Sequence, residues 1–158
     1  VEKMKTYLLY VSIALAAGIT FVNIYNSLVD VPSWGSDIPN SIIVSRSYFK
    51  VYNPGMFFKL ISPLNQITAL ACLILCWKTP SLRMPLATAL GLYILGNIFT
   101  FLYFHRRNSI LFDSTSTLDR AVLEKIWGEW HLMTWLRTSI VFAGLILSMI
   151  SLHRSYRN

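Results

Sequence analysis

Charge avoids four long stretches of this chain, and that avoidance limits its fold more than any motif does. Residues 6–29 hold no Asp, Glu, Lys or Arg across 24 positions. At 1.5 Å per residue this is enough helix to cross a hydrocarbon core of about 30 Å. Residues 54–77 are interrupted only by Lys59, residues 84–104 carry no charge, and residues 132–152 carry only Arg137. Within a bilayer the backbone must satisfy its own hydrogen bonds, so each stretch predicts a spanning helix. One connection is short, at residues 78–83 with Pro80, and two are long. Residues 30–53 read as a loop punctuated by Pro32, Gly35 and Pro39, and residues 105–131 as a mixed-charge segment, partly helical from Thr117. The expected fold is therefore all-α: one integral-membrane four-helix up-down bundle occupying residues 1–158.

The first stretch also resembles a secretory signal, with Met4-Lys5 ahead of an apolar run to Ala14-Leu15-Ala16. The run continues through Ile19, Phe21 and Val22 to full spanning length, which favours a retained helix. Only 13% of residues are charged, half the usual share, yet the net charge is +7. With so much apolar sequence, those basic residues point to lipid headgroups and not to nucleic acid. The end holding the termini carries Lys3, Lys5, Lys78, Arg83, Arg154 and Arg157 close together. The opposite end spreads eight basic residues and six acids over a longer stretch. This density favours cytoplasmic termini in a plasma (inner) membrane.

The polar residues inside the helices are sorted by helix end. Thr20, Asn23, Asn26 and Asp30 form one helical stripe late in the first span. Lys59, Ser62 and Gln66 form another early in the second. Asn97 and Thr100, extended to Asn108 if the helix continues, lie late in the third. His131, Thr134 and Thr138, with Arg137 beside them, lie early in the fourth. In an up-down bundle these ends share one side of the membrane. Residues 8–17, 67–75, 86–95 and 140–150 are almost pure hydrocarbon with small residues. The pattern predicts a polar cavity in one leaflet above an apolar plug. Such a cavity suits a site for a hydrophobic molecule better than a permeation path, which needs polar groups at the midplane or throughout.

Each polar residue also has a structural explanation. Asn and Thr join membrane helices, Lys59 snorkels to the interface, and the tryptophans Trp34, Trp127, Trp130 and Trp135 are read first as an interfacial belt and second as an aromatic pocket. Arg137 resists such an explanation, since a charge two turns inside its helix is costly. It calls for an acid, Glu129 or Asp30, or for a cavity. Cys72 and Cys76, four residues apart, read as small packing residues, because redox pairs use a Cys-x-x-Cys spacing.

His105 and His131 share the polar side, whereas His153 lies at the other end. Two facing histidines are one route to a haem or, with Glu129, to a metal. No Cys ligands, His-x-x-x-His or Glu-x-x-His accompany them, so no cofactor or metal is expected. Either histidine suits a general base, and Arg137 with the asparagines suits a developing oxyanion.

The run Asn97-x-x-Thr100, then Asn108-x-x-Leu111, Trp127, Trp130 and Arg137-Thr138 resembles the anthrone-oxygenase-like family of small four-span membrane proteins. The resemblance covers about the last 60 residues; the first half agrees in layout. Arg106 stands where family members often have proline, and Thr134 where they often have asparagine. The resemblance implies cofactor-independent oxidation of a hydrophobic aromatic or phenolic substrate, with Asn108, Trp130 and Arg137 at family-type positions. Added to it, the reading above makes His131 the base, Arg137 and Asn108 the holders of an enolate or phenolate, and Asn23, Asn26, Lys59, Asn97, Thr100, His105, Trp130 and Thr134 the substrate contacts. The alternative is a non-catalytic membrane subunit, homo-oligomeric or in a complex, or a lipid- or quinone-binding module.

Overall fold

The computed structural model describes residues 2–113 and 115–157, and among these it contains helices and no strand. Helix α1 (Glu2–Tyr25) passes through a π-helical turn (Asn26–Asp30) into α2 (Val31–Gly35). After α3 (Asn40–Tyr48) comes α4 (Pro54–Leu75). Helix α5 (Pro80–Phe99) runs through a second π-helical turn (Thr100–Phe104) into α6 (His105–Phe112), and α7 (Arg120–Ser155) completes the chain. Pro54 and Pro80 open their helices at positions where a missing N–H costs nothing. Asp119 caps α7 by accepting the Val122 N–H at 3.0 Å.

Four helices are long and apolar enough to span a membrane: Lys3–Gly35, Pro54–Leu75, Pro80–Phe112 and Arg120–Ser155. Helix α1 packs on α4 and α7, and α5 packs on the same two, which closes a four-membered ring with sequential neighbours side by side. The up-down bundle is thus present. Its exposed surface is hydrocarbon, as in Leu60, Leu64, Ile67 and Ile74 along α4, the pattern of a protein dissolved in lipid. The α5–α7 contact is close-fitting. A Cβ on Gly144 would lie 2.6 Å from the Tyr93 ring, and the Tyr93 hydroxyl shares a 2.9 Å hydrogen bond with Ser148. Below the polar half, Ala16, Ile19, Ala69, Ala89, Val141 and Leu145 form one apolar cluster. Cys72 and Cys76 are buried in the next, against Leu9, Leu82 and Leu86.

The other end is more ordered than its sequence suggests. Residues 30–53 are largely helical, not a loop: Pro32 and Gly35 sit within or at the end of α2, and Pro39 lies just before α3. Proline tolerates the first turn of a helix, so Pro32 and Pro39 mark starts and not breaks. Residues 105–131 are likewise helical over most of their length, and the third long helix continues past Asn108. The 36 residues of α7 measure about 54 Å, far beyond a hydrocarbon core. Three of the four long helices therefore rise above the fourth, α4, and build a cap. Its core comprises Val31, Trp34, Ile38, Ile42, Phe104, Leu111, Leu123 and Trp130. Trp34 and Trp130 are 5% exposed, so for these two the interfacial-belt reading gives way to core packing.

Candidate functional site

Between the shorter α4, the other three long helices and the cap lies a cavity of about 780 Å³. Its position follows from lengths: α4 starts at Pro54, level with the upper bundle, while its neighbours continue into the cap. Both π-helical turns, 26–30 and 100–104, occur at this height. Such turns insert an extra residue, rotate the following side chains and are frequent at functional sites.

Arg137 occupies the inner end. It is 8% exposed, and its Nη2 donates to Asn23 Oδ1 at 2.9 Å. Its guanidinium carbon stands 4.5 Å above the Phe104 ring and 5.4 Å from that of Phe58. Its Nε, also buried, has no acceptor. Neither acid expected from the sequence serves it. Glu129 is held by Arg107, with Nη2–Oε2 at 2.7 Å, and no bond joins Arg137 to Asp30. Arg137 thus faces the cavity as a cation tied to a neutral amide and an aromatic face.

The charge of the lining is one-sided. Arg46, Lys59 and Arg137 contribute to it, and among the described residues no Asp or Glu lines the cavity. Four more acids of this end are occupied elsewhere: Glu124 with Arg120, Asp37 with Asn40, Asp113 with Thr115, Asp119 as the α7 cap.

Of the residues singled out from sequence, Asn23, Asn26, Lys59, Asn97 and Thr100 all line the cavity, as do His105, Asn108, Trp130 and Arg137. Trp130 donates its indole N–H to Asn108 Oδ1 at 2.7 Å and meets Trp34 and Phe104 edge-on at 5.4 Å. This places a flat aromatic wall beside the polar end. His131 and Thr134 are not among the lining. His131 lies against Trp127, ring centroids 5.6 Å apart, and Thr134 is fully buried with its hydroxyl returned to Trp130 O at 2.9 Å. The two histidines therefore do not face each other across the cavity. His105, exposed at its edge, stacks on Phe101. No group of three His, Cys, Asp or Glu side chains gathers among the described residues.

Asn65 and Arg46 line the cavity and were not anticipated. Asn65, 1% exposed on α4, has an Oδ1 without a donor; the spacing from Ser62 would have revealed it on the same stripe. Its neighbour Gln66, on the expected stripe, donates across to Tyr93 O at 3.2 Å and fixes α4 against α5 at this level. Arg46 on α3 binds four carbonyls, those of Leu111 and Ile110 at 2.9 Å, Thr117 at 3.2 Å and Ser116 at 3.5 Å. It satisfies the C-terminal carbonyls of α6 and holds the cap together. Burial pushes its guanidinium below the usual value, and Asp113 opposes that. No local sequence signal announces a contact over 65 residues.

Comparison with protein-family models, with curated proteins and with solved structures finds no match to this chain.

Proposed function

We propose that the cavity binds a hydrophobic aromatic molecule whose polar end carries an anionic oxygen, and that the protein oxidises it with O2. One observation carries the binding part: among the described residues, Arg137 is a buried cation whose only hydrogen-bonding partner is the neutral Asn23, in a cavity whose lining includes no acid. A ligand oxyanion supplies the missing charge and can accept from the guanidinium. Trp34, Trp130 and Phe58 give the aromatic body apolar faces.

The oxidation rests on the resemblance to anthrone-oxygenase-like proteins. In that chemistry a benzylic CH2 next to a phenolic ring becomes C=O, one O2 is consumed and one water is released. A base removes an acidic proton, the carbanion passes an electron to O2, and the two radicals combine before water leaves. Arg137 and Asn108 are assigned to the enolate oxygen, which a preorganised donor in a water-poor site stabilises strongly. His105 is assigned as the base, because it lines the cavity and His131 does not. The density of Lys and Arg at the end holding the termini assigns both termini to the cytoplasmic face of a plasma (inner) membrane.

Arg137→Leu should abolish O2 uptake with an anthrone substrate, and Arg137→Lys should retain part of it, both in folded, detergent-extractable protein. Uptake unchanged in the Leu variant refutes the assignment. A second reading, binding without turnover as a lipid or quinone module, is favoured by the exposure of His105 at the cavity edge. It predicts that ligand binds with no O2 consumed.

A further inference from the structure

The opposite end of the bundle, which holds the termini, has a cleft of its own. It measures about 390 Å³, lies between the start of α1 and the end of α7, and is lined by Lys3, Thr6, Tyr7, Tyr10 and Tyr156. Lys3, Tyr7 and Tyr10 share one face of α1, at spacings of four and three. Tyr156 follows the last turn of α7, and its hydroxyl hydrogen-bonds that of Tyr10. Arg154, two residues earlier, reaches the other way and donates to Ser81 O at 3.1 Å. The end of α7 is thus tied to α5 on one side and to α1 on the other, which gives the cleft a fixed wall.

The lining suits an anion. Where two hydroxyls share one hydrogen bond, one proton is used and the other is left to donate outward. The Lys3 ammonium adds a positive charge and further donors. Among the described residues no Asp or Glu lines the cleft. The sequence places one acid at this end, Glu2, against six Lys and Arg. Towards the bilayer centre, the same helix offers hydrocarbon: Val11 and Phe21 are exposed, and between them a Cβ on Gly18 would meet nothing within 4 Å. Donors therefore stand at headgroup level above a shallow apolar groove.

Independently of the cavity's function, we propose that this cleft is a discrete site for one anionic glycerophospholipid. The phosphate takes the Lys3 charge and the outward tyrosyl proton, and an acyl chain follows α1 past Gly18. A phosphatidylcholine headgroup brings a quaternary ammonium towards Lys3 and is disfavoured. Inorganic phosphate offers the same oxygens but no chain for the groove. A basic surface also attracts headgroups diffusely, in proportion to its number of charges; this site depends instead on Lys3 and the tyrosine pair.

Full-length protein in phosphatidylcholine nanodiscs containing a minor share of phosphatidylglycerol, released intact into a native mass spectrometer, reads the lipid that each chain keeps. The wild type should retain one phosphatidylglycerol, enriched about tenfold over its share of the disc. Lys3→Gln should bring that enrichment within about twofold, and Arg83→Gln, which removes an equal charge from beside Trp77, should leave it unchanged. The double variant Tyr10→Phe with Tyr156→Phe keeps every charge and should still lower retention. Lys3, Tyr10 and Tyr156 are exposed, so these variants should fold. Equal losses in Lys3→Gln and Arg83→Gln, or full retention in the tyrosine variant, would reduce the site to diffuse attraction and overturn it. Displacement of the lipid by excess inorganic phosphate overturns the lipid as occupant, and no enrichment in the wild type overturns the proposal outright.

Discussion

Asn23 is the position where one substitution can separate the electrostatic role of Arg137 from its structural one. In the wild type a buried guanidinium leans on an uncharged amide through one 2.9 Å charge-assisted bond. Such bonds contribute about 1.5–3 kcal/mol net. Asn23→Leu keeps the branched outline and opens no cavity, but it removes the acceptor. The loss should appear as a fall in Tm of about 3–12 °C, taking about 2–4 °C per kcal/mol for a chain of this size. Asn23→Asp acts in the opposite way. It places a carboxylate where the carbonyl stood, and the adjacent guanidinium keeps that carboxylate ionised. Desolvation of the new charge and its attraction to Arg137 roughly cancel, so stability should stay within about 1 kcal/mol of wild type. Binding should not survive. A negative charge about 4 Å from a ligand oxyanion costs about 4 kcal/mol at an effective dielectric of 20, which is more than a hundredfold in affinity. Thermal melts and titrations with 1-naphthoate, an aromatic that carries its anionic oxygen at neutral pH, on the three proteins give both numbers. If Asn23→Asp binds the probe within threefold of wild type, the cavity does not select for anions and the reasoning from Arg137 fails.

Gly144→Ala should destabilise the protein by about 1–3 kcal/mol, since its Cβ would lie 2.6 Å from a Tyr93 ring pinned by Ser148, while Gly18→Ala, with nothing within 4 Å, should be neutral or slightly stabilising; equal melts for the two would contradict the α5–α7 packing. Arg46→Lys should not replace Arg46, because an ammonium lacks the fork that reaches four carbonyls, so the 113–119 segment should become sensitive to limited proteolysis; unchanged digestion would show that the cap is held by its apolar core alone. Asp113 accepts the Thr115 N–H at 2.9 Å and its hydroxyl at 2.8 Å, which holds its carboxyl below the usual range. That contribution is complete above the unfolded value of about 4 and disappears as pH falls through the lower folded value, so protection of the Thr115 amide should fall only below about pH 4. Constant protection down to pH 2 would reject this linkage. For orientation, Arg157→Cys should resist membrane-impermeant thiol reagents in intact cells and Tyr52→Cys should react, with Cys72 and Cys76 too buried to interfere; the reverse pattern would invert the assignment.

What the sequence disclosed and what it concealed divide by the range of the interaction. Helical periodicity is local, so the stripes Thr20-Asn23-Asn26 and Lys59-Ser62-Gln66 were legible, and the cavity forms where those stripes converge. Residues 30–53 were misread because Pro32, Gly35 and Pro39 are breakers only when nothing packs on the segment they punctuate. Here Trp34 lies under Trp130 and Phe112, and Gly35 admits the Trp127 ring so closely that a Cβ would stand 2.3 Å from it. Those partners lie 78 to 96 residues away, beyond any pattern in the segment itself. The same limit explains His131. Spacing put it on the stripe with Thr134 and Thr138, but a helix face is shared between cavity and core. Of that stripe and its neighbour, only Arg137 faces the cavity, while Thr134 and Thr138 return their hydroxyls to their own helix. A hydroxyl can be satisfied within its helix in this way; a guanidinium with five donors cannot, and this one retains a buried Nε with no acceptor. The residue most expensive to bury is therefore the one whose cost structure alone does not explain, and a ligand that carries the opposite charge is the simplest physical account of its place.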